Sequence, residues 1–189
     1  MGALASVAFL HAQTQNPYNP LPTRTVGQAR ATVTSFNPNY LEGRELFAPQ
    51  AVAADTSVNP PILYVADTGN NRVLAWRDPA GAEKGAPADL VIGQRDMITT
   101  LAQGPEQNTV DLRITGGFSS PTGLAVDRQG NLYIADSGNN RVLRYPKPFD
   151  QRSEILQPDL VIGQRAITSG RTANQGVGPT NKTLALSNF

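Results

Sequence analysis

The sequence contains no cysteine, which excludes disulfide staples and thiolate metal ligands, though an oxidising compartment permits disulfides without requiring them. Its one histidine, His11, lies in the first apolar stretch, so the rest of the chain offers no imidazole for a zinc site. An excess of charge of one sign is also missing: Lys and Arg number 16 against 15 Asp and Glu, for a net charge of +1. That balance, with 6% aromatics, supplies neither the basic, aromatic-dotted face that nucleic acid requires nor a polybasic membrane patch. Long hydrophobic runs are absent, and so is any long stretch of 3.6-residue apolar periodicity. Glycine (17) and proline (15) are, by contrast, plentiful in the 189 residues. Many turns and few helices point to an all-β chain.

Residues 1–13, MGALASVAFLHAQ, form a short apolar run ahead of a polar segment rich in Gln, Asn and Pro. The run is too short to span a bilayer and reads as the later part of a secretory signal peptide, with Ala12 near the cut. It departs from that pattern because no Lys or Arg precedes it; the first is Arg24. Met1-Gly2 with Ser6 also matches the myristoylation pattern, as many signal peptides do. The expectation is a secreted or periplasmic protein without a transmembrane segment, starting from a shortened signal.

Self-similarity dominates what remains. ILYVADTGNNRVL at 62–74 returns 69 residues later as NLYIADSGNNRVL at 131–143. DLVIGQR occurs at 89–95 and, 70 residues on, at 159–165, while PQAVAAD (49–55) answers to PTGLAVD (121–127). Length differences fall in turns, where TSVNPP (56–61) stands for RQG (128–130). A partial third copy, Val26-Gly27-Gln28, matches Ile92-Gly93-Gln94 and Ile162-Gly163-Gln164.

Each block reads as a strand. Leu63-Tyr64-Val65-Ala66 and Leu132-Tyr133-Ile134-Ala135 are apolar on both faces, as a sheet covered on both sides requires. Asp67 to Asn71 and Asp136 to Asn140 are tight-turn sequences, in which Asp and Ser/Thr bond turn amides and Gly and Asn tolerate positive φ. The order is therefore strand a (about 50–55, 122–127), b (62–66, 131–135), c (72–76, 141–145) and d (89–93, 159–163). Repeated four-stranded antiparallel units of this kind build β-propeller blades.

The segment PTGLAVDRQGNLYIADSGNNRVLRYP (121–146) resembles an NHL repeat almost from end to end. The first copy is looser, with Gln50-Ala51 and TSVNPP in place of the family's glycine-bearing positions. The resemblance covers residues 47–165 and implies a propeller, commonly six-bladed. Long spacers ending in a strand like DLVIGQ resemble a bacterial, secreted subgroup of the family.

The organisation expected is a signal-like segment (1–13) and an N-terminal segment (14–46) with a lone d-type strand near 24–28. Blade 1 follows (47–93), then a long spacer (94–119), blade 2 (120–163), and a spacer (164–189) leading to a missing blade. Propellers close with about 4–8 blades, so two blades and a spare strand predict that the ring is completed by a missing C-terminal region. The alternative is completion by other copies of the chain.

In an antiparallel meander the b–c turns and the d-to-a spacers open at one end of the sheets, and the a–b and c–d links at the other. Spacers beyond about 12–15 residues are usually functional or disordered, so the spacer end is the candidate binding face, with edge capping as the alternative. Its charged residues are Arg95, Asp96, Glu106, Asp111 and Arg113 in the first spacer and Arg165, Arg171 and Lys182 in the second; of these, Arg95, Asp96, Asp111, Arg113, Arg165 and Arg171 are the candidate contacts. Asp67, Asn70, Asn71, Arg72, Asp136, Asn139, Asn140 and Arg141 recur in both copies. They are assigned to the scaffold, the Asp capping its own turn and the Arg pairing with an acidic group or carbonyl. Asp55 and Asp127 at the end of strand a are assigned likewise.

No D-x-D-x-D-G calcium loop, Walker sequence, G-x-S-x-G elbow or close carboxylate pair is present. The expectation is a non-catalytic extracellular scaffold that needs no cofactor or metal and binds a protein or glycan, not nucleic acid. The alternative is a piece of a metal-dependent propeller enzyme, of lyase or lactonase type, whose catalytic residues lie in missing blades.

Overall fold

The computed structural model describes residues 25–27, 41–83, 85–103, 117–168 and 172–186. These residues form two four-stranded antiparallel sheets and short 3-10 turns, with no α-helix among them. The first sheet runs β1 (Ala51–Asp55), β2 (Ile62–Asp67), β3 (Arg72–Trp76) and β4 (Leu90–Ile92). The second repeats it as β5 (Pro121–Val126), β6 (Leu132–Asp136), β7 (Arg141–Tyr145) and β8 (Leu160–Ile162). Each strand pairs with its neighbour in sequence, as expected of a blade.

Register is fixed by the alternation of side chains, because a one-residue slip would turn every apolar group to the wrong face. Tyr64 opposes Ala75 and Ala66 opposes Val73, which in turn opposes Ile92. These residues face the second sheet. There they join Leu132, Ile134, Leu143 and Tyr145, with Phe118 and Leu156, in one continuous core. The Phe118 and Tyr145 rings meet edge to face, with centroids 6.0 Å apart. The other face of the first sheet carries Val65, Leu74 and Trp76 and is covered by Val26, Leu46 and Met97. Full burial of each large side chain contributes about 1.5–3 kcal/mol, so the stacking of sheet on sheet is the principal source of cohesion.

The two sheets occupy equivalent positions with unequal cover. Ile92 on β4 is fully buried against the second sheet, whereas its counterpart Ile162 on β8 is 46% exposed. The far face of the second sheet thus presents to solvent what the first sheet buries.

The lone strand expected near 24–28 does not form at residues 25–27. Gly27 instead adopts φ +86°, close to Gly93 (+87°) and Gly163 (+92°). Its carbonyl accepts the Leu46 N–H at 3.1 Å. The shared V/I-G pair therefore marks a backbone turn at the end of strand d. A side chain at Gly27, Gly93 or Gly163 would run into Leu46, Phe118 or Leu184 respectively. In each case glycine lets the backbone of one unit approach the start of the next.

Candidate functional site

At the spacer end each b–c connection is a 3-10 turn, Thr68–Asn70 or Ser137–Asn139, followed by a left-handed asparagine. Beneath it lies an arginine with no solvent exposure. Arg72 Nε donates to Asp67 Oδ2 at 2.7 Å and Arg141 Nε to Asp136 Oδ2 at 2.8 Å. The remaining guanidinium nitrogens reach two other segments. Arg72 Nη1 donates to the Met97 carbonyl in the spacer that follows, and Nη2 to the Glu45 carbonyl in the segment that precedes, at 3.0 Å. Arg141 repeats this with Ile167 O (2.5 Å) and Gly117 O (2.9 Å). A planar fork with fixed donor directions can hold three chain segments at once; a lysine could not.

The aspartates do not cap their own turns, contrary to the expectation from sequence. Asp67 Oδ1 accepts the Phe47 N–H at 2.6 Å and Oδ2 accepts Asn70 Nδ2 at 2.8 Å. Asp136 likewise takes the Ser119 N–H (2.8 Å) and Asn139 Nδ2 (2.7 Å). The reason is the buried guanidinium, which draws the carboxylate under the turn, away from the turn's own amides. Burial pushes both carboxyls upward from the usual range, while the N–H donors, the asparagines and the arginines pull them down.

Asn71 and Asn140 take φ of 53° and 50°, a conformation that asparagine tolerates. Their amides join each turn to the start of the next repeat. Asn71 Oδ1 accepts the Ser120 N–H at 2.9 Å, and Asn140 Oδ1 accepts the Leu186 N–H at 2.6 Å. The glutamine of each DLVIGQR block secures the spacer itself. Gln94 Nε2 donates to the Asn71 and Leu101 carbonyls, both at 2.8 Å. Gln164 Nε2 donates to Asn140 O at 3.1 Å and Thr172 O at 3.2 Å. Exact recurrence of the heptapeptide marked the glutamine as repeated; its part in fastening the spacer lay beyond the linear pattern.

Of the charged spacer residues singled out by sequence, Arg95 and Arg165 are exposed and Asp96 is half-buried. Asp111, Arg113 and Arg171 lie outside the described residues. Asp96 organises its own loop. Burial acts upward on its carboxyl, but Thr99 Oγ1 (2.6 Å), the N–H groups of Thr99 and Ile98, and Arg95 outweigh burial and hold it below the usual range. Arg165 Nε donates to Gln175 Oε1 at 3.2 Å, within its own spacer. Sequence reasoning passed over the apolar residues on this surface: Ile98 (62% exposed), Leu101 (64%) and Val177 (56%). Only the tertiary fold distinguishes them from core positions of the same type. Among the described residues, no three of His, Cys, Asp and Glu converge as a metal ion would need, and no helix is long and apolar enough to cross a membrane.

Two consecutive four-stranded antiparallel units, stacked face to face and joined by spacers fastened in the same way, define a run of β-propeller blades. Residues 118–145 match the family model described as NHL repeat. That segment reaches from Phe118 through β5 and β6 to the end of β7, so the similarity lies in the second blade. Such repeats build propeller modules that often mediate protein interactions. A comparison with curated proteins finds no match.

Proposed function

We propose that this chain is a non-catalytic binding scaffold that acts outside the cytoplasm and contacts its partner through the spacer end of the blades. The observation that carries the reading is the contrast between the two layers of that end. Beneath the spacers, Arg72 and Arg141, Gln94 and Gln164, and Asn71 and Asn140 make matching contacts in both units. Above them, past the shared Arg95 and Arg165, the side chains differ: Asp96, Ile98 and Leu101 on one spacer, Ala166, Thr168 and Val177 on the other. A rigid support that displays unlike residues suits an asymmetric ligand. Solvent-exposed Ile98 and Leu101 among charges favour a protein over a glycan, since contiguous apolar surface marks protein contact sites. The uncovered far face of the second sheet supports a further blade there, from the same chain or another copy. An extracytoplasmic site of action rests on the apolar run at residues 1–13.

The test has two arms. Partners isolated with the purified full chain should be lost by the double substitution Ile98→Asp/Leu101→Asp without a change in thermal stability. Partners retained by that variant overturn the spacer-face assignment. A fusion of residues 1–30 to a reporter that is active only after export should give activity; a reporter held inside the cell overturns the localisation.

A further inference from the structure

The far face of the second sheet repeats the face by which the first sheet is buried. Across β5 to β8 its outward positions form two rows, Ala125, Tyr133, Arg144 and Leu160 in one, and Gly123, Ala135, Val142 and Ile162 in the other. The corresponding rows of the first sheet are Ala53, Tyr64, Ala75 and Leu90, and Ala51, Ala66, Val73 and Ile92. The two faces differ only at Gly123 for Ala51 and Arg144 for Ala75. Packed on the second sheet, Tyr64, Ala66, Val73, Ala75 and Ile92 have no exposure. On the far face Leu160 is 36% and Ile162 46% exposed. A surface of interior type therefore stands open, and apolar patches of that kind mark contact sites.

The arginine in the middle decides what can cover it. Arg144 donates through Nε and Nη2 to the two oxygens of Asp159, at 2.8 and 2.9 Å, and both side chains stay partly exposed. The Tyr133 hydroxyl donates to Asp127 Oδ2 at 3.4 Å, whereas the buried Tyr64 hydroxyl makes no hydrogen bond. The face that covers the first sheet offers Leu132, Ile134, Leu143 and Tyr145. Laid over Arg144 and Asp159, such an apolar face would strip water from both ions and return no partner for either. The neighbour that fits is an apolar surface carrying a cation and a carboxylate of its own.

We propose that a second copy of this chain covers the far face, far face against far face, about a two-fold axis close to Arg144. That axis sets Arg144 of each copy beside the partner's Asp159, so the four charges alternate in sign, and Leu160 and Ile162 of the two copies pack around them. A two-fold contact uses one patch twice and closes at two copies. Four strands about 4.8 Å apart, with two outward rows, give a footprint of roughly 300 Å². That is small for a protein interface, so pairing is expected at concentrations on the order of 10–100 μM. The contact does not involve the spacer end, and its failure would leave the spacer-face assignment standing.

The test is sedimentation velocity of the purified full chain over a series spanning roughly 1–500 μM. The parent should pass from monomer to dimer and grow no further, and Ile162→Glu should stay monomeric. Arg144→Asp leaves only carboxylates at the contact and Asp159→Arg only cations, so each variant alone should pair at least about tenfold more weakly. Mixed in equal amounts, these two variants should pair with each other. Their ion pair lies at the surface, where such pairs add little to stability, so each should keep the parent's Trp76 fluorescence and melting temperature at a concentration where the parent is monomeric. A parent that stays monomeric throughout overturns the proposal. So do species that grow beyond the dimer, or a mixture that pairs no better than either charge variant alone.

Discussion

Replacing Arg72 by Met tests whether the buried guanidinium is what holds the spacers to the blade. Methionine keeps the length and apolar stem of the side chain but removes the cation. The Asp67 carboxylate then loses its partner at 2.7 Å, in a position where neither side chain is exposed. The Glu45 and Met97 carbonyls lose their donor as well. Breaking a buried pair from one side costs about 3–5 kcal/mol, and part of the carbonyl penalty is recovered by water near Met97. A net loss of about 4 kcal/mol corresponds to nearly a thousandfold in the folding equilibrium. With a urea slope of about 2 kcal/mol per molar, the midpoint should fall by about 2 M. Trp76, the one tryptophan in the chain, is buried on β3 with its Nε1 bonded to Ala86 O at 3.1 Å, and its fluorescence reports unfolding of the same unit.

The substitution also has a pH signature. Burial already places the Asp67 carboxyl above the usual range, and without the opposing arginine it rises further. A carboxyl raised in the folded state binds more protons folded than unfolded, so the stability of the variant falls as pH rises through that window. The deficit relative to the parent should therefore shrink as pH is lowered from 7 towards 5. Arg144→Met is the control, because its ion pair with Asp159 lies at the surface, where such pairs contribute little. A loss for Arg72→Met no larger than that for Arg144→Met would refute the reasoning.

Three further outcomes are expected. Gly93→Ala should destabilise by about 2–4 kcal/mol, from the left-handed backbone together with overlap on the Phe118 ring, whereas Gly178→Ala, with open space around it, should be neutral in thermal melts. Asn71→Gly keeps the left-handed turn but removes the bond to the Ser120 N–H, so that amide should exchange with deuterium faster by an amount equivalent to about 1 kcal/mol. Asn71→Ala should be worse by about a further 1 kcal/mol for the conformation alone. The Asp127 carboxyl, held below the usual range chiefly by the Asn131 side chain, should move upward in Asn131→Ala when followed by NMR titration. Its contribution to stability is complete above the unfolded value of about 3.9 and disappears as pH falls through the folded one.

Much of the fold was legible in the linear pattern because short apolar runs and the turn chemistry that bounds them are local properties. ILYVAD, the turn residues after it and RVLAW specify two strands and their connection within about fifteen residues, and the recurrence of that block shows that the unit is built at least twice. At Val26-Gly27 the residues shared with the later copies are those of the turn that ends a strand, and residues 25–27, the described part of the strand expected near 24–28, show that turn's left-handed glycine. Repetition alone assigned the recurring Asp and Arg to the scaffold, yet the bonds they make were not readable. Arg72 joins residues 45, 67 and 97, and no spacing rule links positions so far apart.

By itself, then, the sequence determined the repeating strand–turn units, their order and their all-β class, since these follow from backbone preferences, short apolar runs and turn residues over a few positions. Tertiary structure alone decided that Ile92 is core while Ile162 is surface, that Ile98 and Leu101 face solvent, and that Tyr64 and Tyr133 have different hydrogen-bonding fates. Each depends on which sheet lies against which, and burial and desolvation are properties of the packed neighbourhood. Two identical segments can therefore differ in their chemistry wherever their neighbours differ.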